Sequence, residues 1–323
     1  MSHTKHHVGL RMSHSITEGE SSLLRLLLKS SRSTTDYLGD QLGKSRNWIT
    51  RMMKRLAEKH VIMAYVTVFD PAQVFSEKST VLLIKTNPRE LRLSKALLEL
   101  PELESLDGIS GEHSLHGLLR FRSPAGFDAF LNRIDRMLAI SDSRTYKLVQ
   151  VLATYKTRGF VIDKPQSKQP PLTTSELDLI RVIYRQSPSD EFPMPLSQEE
   201  IGHRMDPKLS QPAVSRIMKR LQERSTIVGY TVDISFGHVG LPVKFFLQIK
   251  TRPGTIAETA RYVSRMDEVW DLHRTSEDFS LFATVRTENV DHYNRFLKNL
   301  YNNESVLDTQ SQVSLEEWFV PVR

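Results

Sequence analysis

Apolar residues recur at helical spacing in three consecutive segments of the first half of the chain, and the same order of segments returns in the second half. The segments are "EGESSLLRLLLKSS", "TTDYLGDQLG" and a helix containing "MKRL", then "TTSELDLIRVIYRQ", "SQEEIGHRM" and a second "MKRL" helix. Spacings of three and four residues between apolar positions are typical of amphipathic helices. Each half is therefore predicted to begin with three helices.

Residues with helix-capping chemistry precede two of the segments in the second half. Thr174 or Ser175 is a suitable N-cap for its first helix, and Ser197 with Glu200 has the spacing of a capping box. These positions predict where the helices begin.

Each MKRL helix, begun by Ser45 or Ser210, is predicted to have one apolar face. Its apolar positions are Ile49, Met53 and Leu56 in the first half, and Val214, Met218 and Leu221 in the second. The opposite face is polar and basic. These helices are therefore expected to pack on a core and expose their charge.

Strand-like segments follow each MKRL helix. "VIMAYVTVF" and "TIVGYTVDI" are β-branched and aromatic, and each is followed by segments in the order strand, helix, strand, strand, helix, strand. This order is typical of a ferredoxin-like sheet with helices on one face. The predicted fold class is α+β, with two repeats of a winged helix-turn-helix followed by a ferredoxin-like βαββαβ domain.

The two halves share a register as well as an order of elements. The two MKRL phrases lie 165 residues apart, and the same offset pairs Arg51 with Arg216, Tyr65 with Tyr230, and "LLIKTNP" with "FLQIKTRP". We interpret the chain as two copies of one unit. The predicted divisions are a disordered tail (1–18), winged helix-turn-helix 1 (19–76), ferredoxin-like domain 1 (77–160), a Pro-rich linker (161–172), winged helix-turn-helix 2 (173–241) and ferredoxin-like domain 2 (242–323).

Composition narrows the class of protein. The chain has 323 residues, 39% hydrophobic and 25% charged, which is ordinary for a globular protein. It has no cysteine, which excludes disulfides, thiolate catalysis and Cys-based zinc sites and fits a reducing cytoplasm. No apolar run approaches the roughly 20 residues of a membrane span, so no membrane partner is expected.

Positive charge is concentrated on the two MKRL helices. The segment from Lys44 to Lys59 contains six basic residues and one acidic residue, and the second MKRL helix has a similar excess of basic residues. Arg and Lys suit phosphates, while Asn, Gln, Ser and Arg suit base edges. The candidate DNA-binding residues are Ser45, Arg46, Asn47, Thr50, Arg51, Lys54, Arg55, Ser210, Gln211, Ser215, Arg216, Lys219 and Arg220. For a single basic helix, a solvated surface without a ligand is as good an explanation as DNA binding. Because the basic helix occurs twice in the same context, we predict that the partner is double-stranded DNA.

These residues and motifs resemble those of the Lrp/AsnC, or feast/famine, family of prokaryotic transcription regulators. The resemblance rests on "SRNWITRMMKRLAEKHVIMAYVT" and "SQPAVSRIMKRLQERSTIVGYT", and it covers nearly the whole chain from about residue 20, twice over. The family's Gly-Tyr-Thr phrase is present as Gly229, Tyr230 and Thr231, whereas the first copy has Ala64 and Val66.

The resemblance implies a DNA-binding regulator of the nucleoid in which two units pair through their sheets. A fused pair of units is expected to form this dimer within one chain, and the chain is expected to associate further as a homodimer or higher oligomer. The two MKRL helices begin with different residues, which are Arg46, Asn47 and Trp48 in the first copy and Gln211, Pro212 and Ala213 in the second. This difference predicts an asymmetric operator.

The resemblance also implies a small-molecule effector, an amino acid or another compound, bound near a Gly-x-Tyr-Asp phrase. The first copy retains Gly111 with Ser114 near the Asp position, and the second retains Asp278 but lacks the glycine. The alternative is that both phrases are ordinary β-turns.

Two rival functions remain open. Siroheme decarboxylases of haem synthesis are also built from two such units, and His113, His116, His273 and Arg274 are the candidate acid–base or carboxylate-binding groups. The enzymes' His- and Tyr-rich phrase is absent, so no enzyme and no cofactor is predicted. The other rival is an architectural DNA-binding protein of low specificity. The histidines of the N-terminal tail lack the fixed geometry of a metal site, and no metal is predicted.

Overall fold

The helices and strands form where periodicity predicts them in both halves. The computed structural model describes residues 16–75, 79–87, 91–141, 145–162, 170–189, 191 and 193–322. The first half contains α1 (Glu18–Lys29), α2 (Thr35–Leu42), α3 (Arg46–Glu58), β1 (Ile62–Phe69), α4 (Pro71–Val74), β2 (Thr80–Lys85), α5 (Leu91–Leu98), β3 (Leu103–Ile109), β4 (Leu115–Leu119), α6 (Pro124–Ala139), β5 (Thr145–Thr157) and β6 (Phe160–Val161).

The second half follows the same order. It contains α7 (Thr174–Ile183), β7 (Arg185–Gln186), α8 (Gln198–Arg204), α9 (Gln211–Glu223), β8 (Ile227–Ile234), a 3₁₀ turn (Phe236–Val239), β9 (Val243–Thr251), α10 (Ile256–Ser264), β10 (Val269–Thr275), β11 (Leu281–Thr287), α11 (Val290–Leu300) and β12 (Val306–Trp318). None of the helices in the described ranges is both long and apolar enough to cross a bilayer.

The helix starts show where sequence interpretation was correct and where it was not. Ser197 and Glu200 form the expected capping box of α8. The cap of α7 is Thr173, one residue before the predicted Thr174 or Ser175, because Thr173 has Glu176 at the third helical position to complete a capping box. Thr17 and Glu18, assigned to the tail, are the cap and first residue of α1. Residues 1–15 and the linker segment 163–169 lie outside the described part.

Strands β1 and β8 pair antiparallel and relate the two winged helix-turn-helix units by a pseudo-twofold axis. Val66 lies opposite Thr231, Tyr65 opposite Val232, and Thr67 opposite Tyr230. Val66 and Thr231 occupy equivalent positions in the two halves of the chain, so the axis passes between them. A self-complementary pairing of this kind is the hallmark of a two-fold interface.

Each of these strands contributes to both helical cores. Val232 and Ile234 of β8 pack with helices α1 to α3, and Phe69 of β1 packs with helices α7 to α9. Arg25 on α1 also donates to the Val239 carbonyl oxygen at 3.1 Å. Neither unit therefore has a complete core without the other half of the chain.

The two ferredoxin-like domains join into one closed sheet. Its strand order is β10–β11–β9–β12–β3–β4–β2–β5–β6, and β10 also pairs with β5. The last strand of each domain thus pairs with the second strand of the other domain. Helices cover the outside over separate cores, and the inside holds an apolar cluster of Val81, Leu83, Ile109, Val149, Val151, Phe246 and Phe282.

Close approach at the turn between α8 and α9 requires a glycine. A Cβ on Gly202 would lie 2.1 Å from the Leu209 carbonyl oxygen, and one on Gly39 would lie 2.6 Å from the Lys44 carbonyl oxygen in the equivalent turn. The backbone carbonyls would have to move, since real Cβ atoms do not approach so closely. These glycines allow the second and third helices of each unit to pack tightly.

Gly202→Ala is expected to lower the free energy of unfolding by about 1–3 kcal/mol, as overpacking does. Gly126→Ala is the matched control, because a Cβ there meets Ser123 Oγ at an ordinary 3.5 Å. It is expected to be neutral or to stabilise by up to about 1 kcal/mol. Urea denaturation of the two variants measures the difference, and equal stabilities would contradict the packing argument.

Candidate nucleic-acid interface

The third helices, α3 and α9, are held by their apolar faces. Ile49, Met53 and Leu56 are buried on α3, as are Val214, Met218 and Leu221 on α9. Ser45 caps α3 by accepting from the Trp48 amide at 3.2 Å, whereas the Ser210 side chain makes no capping hydrogen bond. The predicted burial of this face is confirmed, and it fixes which face of each helix meets solvent.

The structure places nearly all the candidate DNA-binding residues on the exposed face of these helices. Exposed are Ser45, Arg46, Asn47, Thr50, Arg51, Lys54 and Arg55 on the first unit, and Ser210, Gln211, Arg216, Lys219 and Arg220 on the second; Ser215 is half-buried. Within each unit they share one helix face. Their contact with DNA stays a prediction.

Arg51 and Arg216 are equivalent, and both are open to a ligand. Among the described residues, neither has an ion-pair or side-chain hydrogen-bond partner. An unpaired guanidinium on a helix face presents five donors, a geometry suited to phosphate or to a guanine edge. These two arginines are the strongest candidates for direct contact with DNA.

The lysines one turn later are only loosely held. Lys54 lies 3.8 Å from Glu58 and Lys219 lies 3.8 Å from Glu223, and all four side chains are more than half exposed. Exposed pairs of this type contribute little and are screened by salt. Both lysines are therefore free to exchange these partners for phosphates.

Arg55 and Arg220 differ from the lysines because each meets a buried carboxylate on the first helix of its unit. Arg220 Nε donates to Glu176 Oε1 at 2.8 Å, and Arg55 Nε lies 3.6 Å from Glu20 Oε1. Although burial raises the pKa of both glutamates, hydrogen bonds from the N-cap threonines and the nearby arginines leave it below its usual value. These pairs position the third helix against the first.

Sequence reasoning did not identify these two glutamates. The signal was present, since Thr17 and Glu20, like Thr173 and Glu176, have capping-box spacing. Each glutamate uses one oxygen for the cap and turns the other toward the third helix. Spacing predicts the cap, but it does not reveal which arginine the second oxygen meets.

The beginnings of the two third helices differ in structure as well as in sequence. Gln211 Nε2 donates to Gln198 Oε1 at 2.9 Å, which ties the start of α9 to the start of α8. On α3 the ring of Trp48 lies beneath Lys44 Nζ, 5.8 Å from its centroid. The surfaces that the two helices present to a ligand are therefore unlike.

The residues proposed for an effector lie in equivalent turns of the two ferredoxin-like domains. Gly111 has φ of 109°, and the Ser114 hydroxyl donates to the Thr86 carbonyl oxygen at 2.9 Å. Asp278 is exposed in the turn between β10 and β11. No hydrogen bond or ion pair of the described residues joins Asp278 to the other two, and effector binding stays a prediction.

The histidines considered for catalysis differ in exposure. His116 and His273 are each 3% exposed inside the closed sheet, His113 is half-buried, and Arg274 is exposed. The His116 ring stacks on Phe246 with centroids 3.7 Å apart. Burial lowers the pKa of His273 to about 4 and that of His116 well below its usual value, so both rings are neutral at pH 7.

Comparison with known proteins gives matches of two kinds. Residues 244–320 match the sequence model of the Lrp/AsnC ligand binding domain. The HTH-type transcriptional regulator FL11 of Pyrococcus furiosus is 25% identical over 108 residues, which is 33% of this chain and 72% of FL11. The HTH-type transcriptional regulator Zrp of Zymomonas mobilis is 29% identical over 126 residues, 38% of this chain and 80% of Zrp.

The crystal structure of the siroheme decarboxylase NirDL has a similar fold over most of the chain. It aligns with a TM-score of 0.59 and 14% identity, covering 93% of this chain and 91% of NirDL. At this identity the likeness shows the fold alone. The chain thus has a winged helix-turn-helix and ferredoxin-like fold in both halves, and its residues 244–320 match the Lrp/AsnC ligand binding domain.

Proposed function

We propose that this chain is a sequence-specific DNA-binding transcription regulator that acts as a covalent pseudo-dimer of two Lrp/AsnC-like units. The observation that carries the proposal is the register of β1 on β8, with Val66 opposite its equivalent Thr231. This register relates α3 and α9, each with its exposed basic face, by a pseudo-twofold axis. Two-fold related helices suit duplex DNA, whose half-sites are themselves related by a two-fold axis.

The two helices are proposed to read different half-sites. Arg51 and Arg216 contact bases or their immediate surroundings together with Asn47 and Gln211. Gln211 is hydrogen-bonded to Gln198, whereas no hydrogen bond between described residues ties the start of α3, Arg46 and Asn47, to α2 in this way. The operator is therefore asymmetric. As a regulator, the protein works on the nucleoid in the cytoplasm.

The chain is also proposed to associate further. Leu152 and Leu315 occupy equivalent positions on β5 and β12 and are 52% and 61% exposed. Association of two or more chains through the sheets would cover them. Light scattering of the purified protein is expected to give at least twice the mass of one chain; the mass of one chain alone would contradict this part of the proposal.

Selection of bound sequences from random duplex DNA at 150 mM salt tests the regulator directly. The expected result is a recurring site with two unlike halves about one helical turn apart. A perfectly palindromic site would contradict the asymmetric reading. Weak binding without enrichment, falling steeply with salt, would support an architectural DNA-binding protein instead.

The enzyme alternative has its own test, because the fold is shared with a siroheme decarboxylase. The purified protein is expected to show no change in the absorbance band of an added iron tetrapyrrole. A saturable spectral shift, together with release of carbon dioxide, would overturn the proposal in favour of an enzyme.

A further inference from the structure

A small cavity lies where the winged helix-turn-helix units meet the closed sheet. Its volume is about 20 Å³, and its lining includes Thr67 of β1, Phe75 after α4, and Tyr184 at the end of α7. Arg120, which follows β4, also lines it. A cavity of this size holds one water-sized or slightly larger species. It cannot hold a metabolite.

Arg120 brings an incompletely paired positive charge to this cavity. The residue is 6% exposed, and no described protein atom accepts a hydrogen bond from its buried Nη1. Its guanidinium carbon lies 5.5 Å from the centroid of the Phe75 ring. Burying a charged donor without an acceptor is costly, and such groups in native proteins nearly always have a partner.

The neighbouring carboxylates are engaged by other cations. Asp233 accepts from Arg158 and from Arg185, and Glu104 accepts from Tyr184 and lies 4.0 Å from Arg158. These two arginines and two carboxylates balance in charge.

A further carboxylate nearby, Asp271, accepts from the Arg158 amide and lies near the buried Lys156. Of the charged side chains that line the cavity, Arg158 is paired with Glu104, which leaves Arg120 as the positive charge without a carboxylate partner among the described residues.

The other half of the chain provides an internal comparison. Arg286 is equivalent to Arg120, since their amides donate at 2.8 Å to the equivalent carbonyl oxygens of Glu268 and Glu102. Arg286 also packs against a phenylalanine ring: its guanidinium carbon lies 3.6 Å from the centroid of Phe236, in the 3₁₀ turn after β8. However, Arg286 pairs with the carboxylate of Glu317.

The residue equivalent to Glu317 near Arg120 is Thr154. Glu317 lies opposite Asp107 on β3, and Thr154 lies opposite His273, which is the equivalent of Asp107 on β10. A hydroxyl therefore stands where the other half has a carboxylate. Among the described residues of the first half, no carboxylate pairs with the buried Arg120, and a cavity lies beside it.

We propose that this cavity binds one small monovalent anion of the size of chloride, held by Arg120 Nη1. The one unpaired positive charge of Arg120 determines that the anion is monovalent. The volume of the cavity limits the anion to about the size of chloride. The anion lies between β1, the end of α7 and the closed sheet, so it stabilises the contact of the winged helix-turn-helix units with the sheet. This inference does not depend on the proposed function.

Thermal unfolding at constant ionic strength tests the site. Raising chloride from 5 to 200 mM, with gluconate as the replacement, is expected to raise the Tm of the full chain by about 2 °C or more. The Arg120→Met variant is expected to show no shift, because it lacks the cation that holds the anion. The Thr154→Glu variant is also expected to show no shift, because the new carboxylate pairs with Arg120 in place of the anion. Arg136→Met, an exposed arginine on α6, is the control and keeps the full shift.

Crystals of the unaltered protein soaked in bromide provide a readout that needs no variant. The expected anomalous peak lies within hydrogen-bond distance of Arg120 Nη1. A chloride shift that survives in Arg120→Met or Thr154→Glu, an unchanged Tm in the wild-type protein, or bromide at surface positions only would each overturn the proposal.

Discussion

Replacing Arg51 and Arg216 together by alanine is expected to lower the affinity for a selected DNA site by about 10²- to 10⁴-fold. Each arginine lies at an equivalent position on an exposed helix face without a described partner. A good arginine contact to a base contributes about 1–3 kcal/mol, and every 1.4 kcal/mol is tenfold in affinity. Fluorescence anisotropy of a labelled duplex at fixed salt measures the loss.

The Tm of this double variant is expected to stay unchanged, because both arginines are exposed and neither forms an ion pair with another described residue. Lys54→Ala with Lys219→Ala is the matched control. It is expected to weaken binding to all sequences alike and to reduce the slope of log K against log salt by about 2. Retained affinity and specificity in the arginine variant would refute the role of α3 and α9.

Asp233→Asn is expected to lower the free energy of unfolding by roughly 3–5 kcal/mol, the usual cost of breaking a buried ion pair. Asp233 on β8 receives hydrogen bonds from Arg158, which follows β5, and from Arg185 on β7. All three side chains are less than 20% exposed. The variant therefore leaves two buried cations without their shared carboxylate, where the winged helix-turn-helix units contact the closed sheet.

The pH dependence of this loss has a definite sign. Burial acts to raise the pKa of Asp233, but Arg158 and Arg185 outweigh it and leave the pKa below its usual value. A depressed folded pKa stabilises the protein above the unfolded pKa, about 3.9, and this contribution is lost as pH falls through the folded pKa. The difference between wild type and variant should therefore shrink below about pH 4.

Urea denaturation at pH 7 and at successively lower pH measures both effects. Asp128→Asn, an exposed acid on α6, is the control and should change stability by no more than about 0.5 kcal/mol. A variant of Asp233 as stable as wild type at pH 7 would show that the ion pairs do not hold the two parts together.

Local features of the fold were predictable because they depend on neighbouring residues. The burial of Ile49 and Val214 follows from helical periodicity, and the Ser197–Glu200 box follows from side-chain reach. The pairing of β1 with β8 and the closure of β10 on β5 were not predicted in detail. Both join residues more than a hundred positions apart, and their registers depend on the assembled structure.

The candidate interface shows the same limit. The exposure of Arg51 and Lys54 could be predicted from the polar face of one helix. The partners of Arg55 and Arg220 could not, because they come from another helix, packed across the unit. The lack of a described carboxylate partner for Arg120 was also invisible in the sequence, since it becomes evident only when Thr154 is seen to replace a glutamate in the equivalent strand.

Hydroxyl-radical footprinting of the selected duplex by the wild-type protein and two single variants tests the central claim most directly. Two protected patches on one face of the duplex, about one helical turn apart, are predicted for the wild type. Arg51→Ala should lose protection of one patch and Arg216→Ala that of the other. A single patch weakened equally by both variants would contradict the account, because α3 and α9 would then not read separate halves of one site.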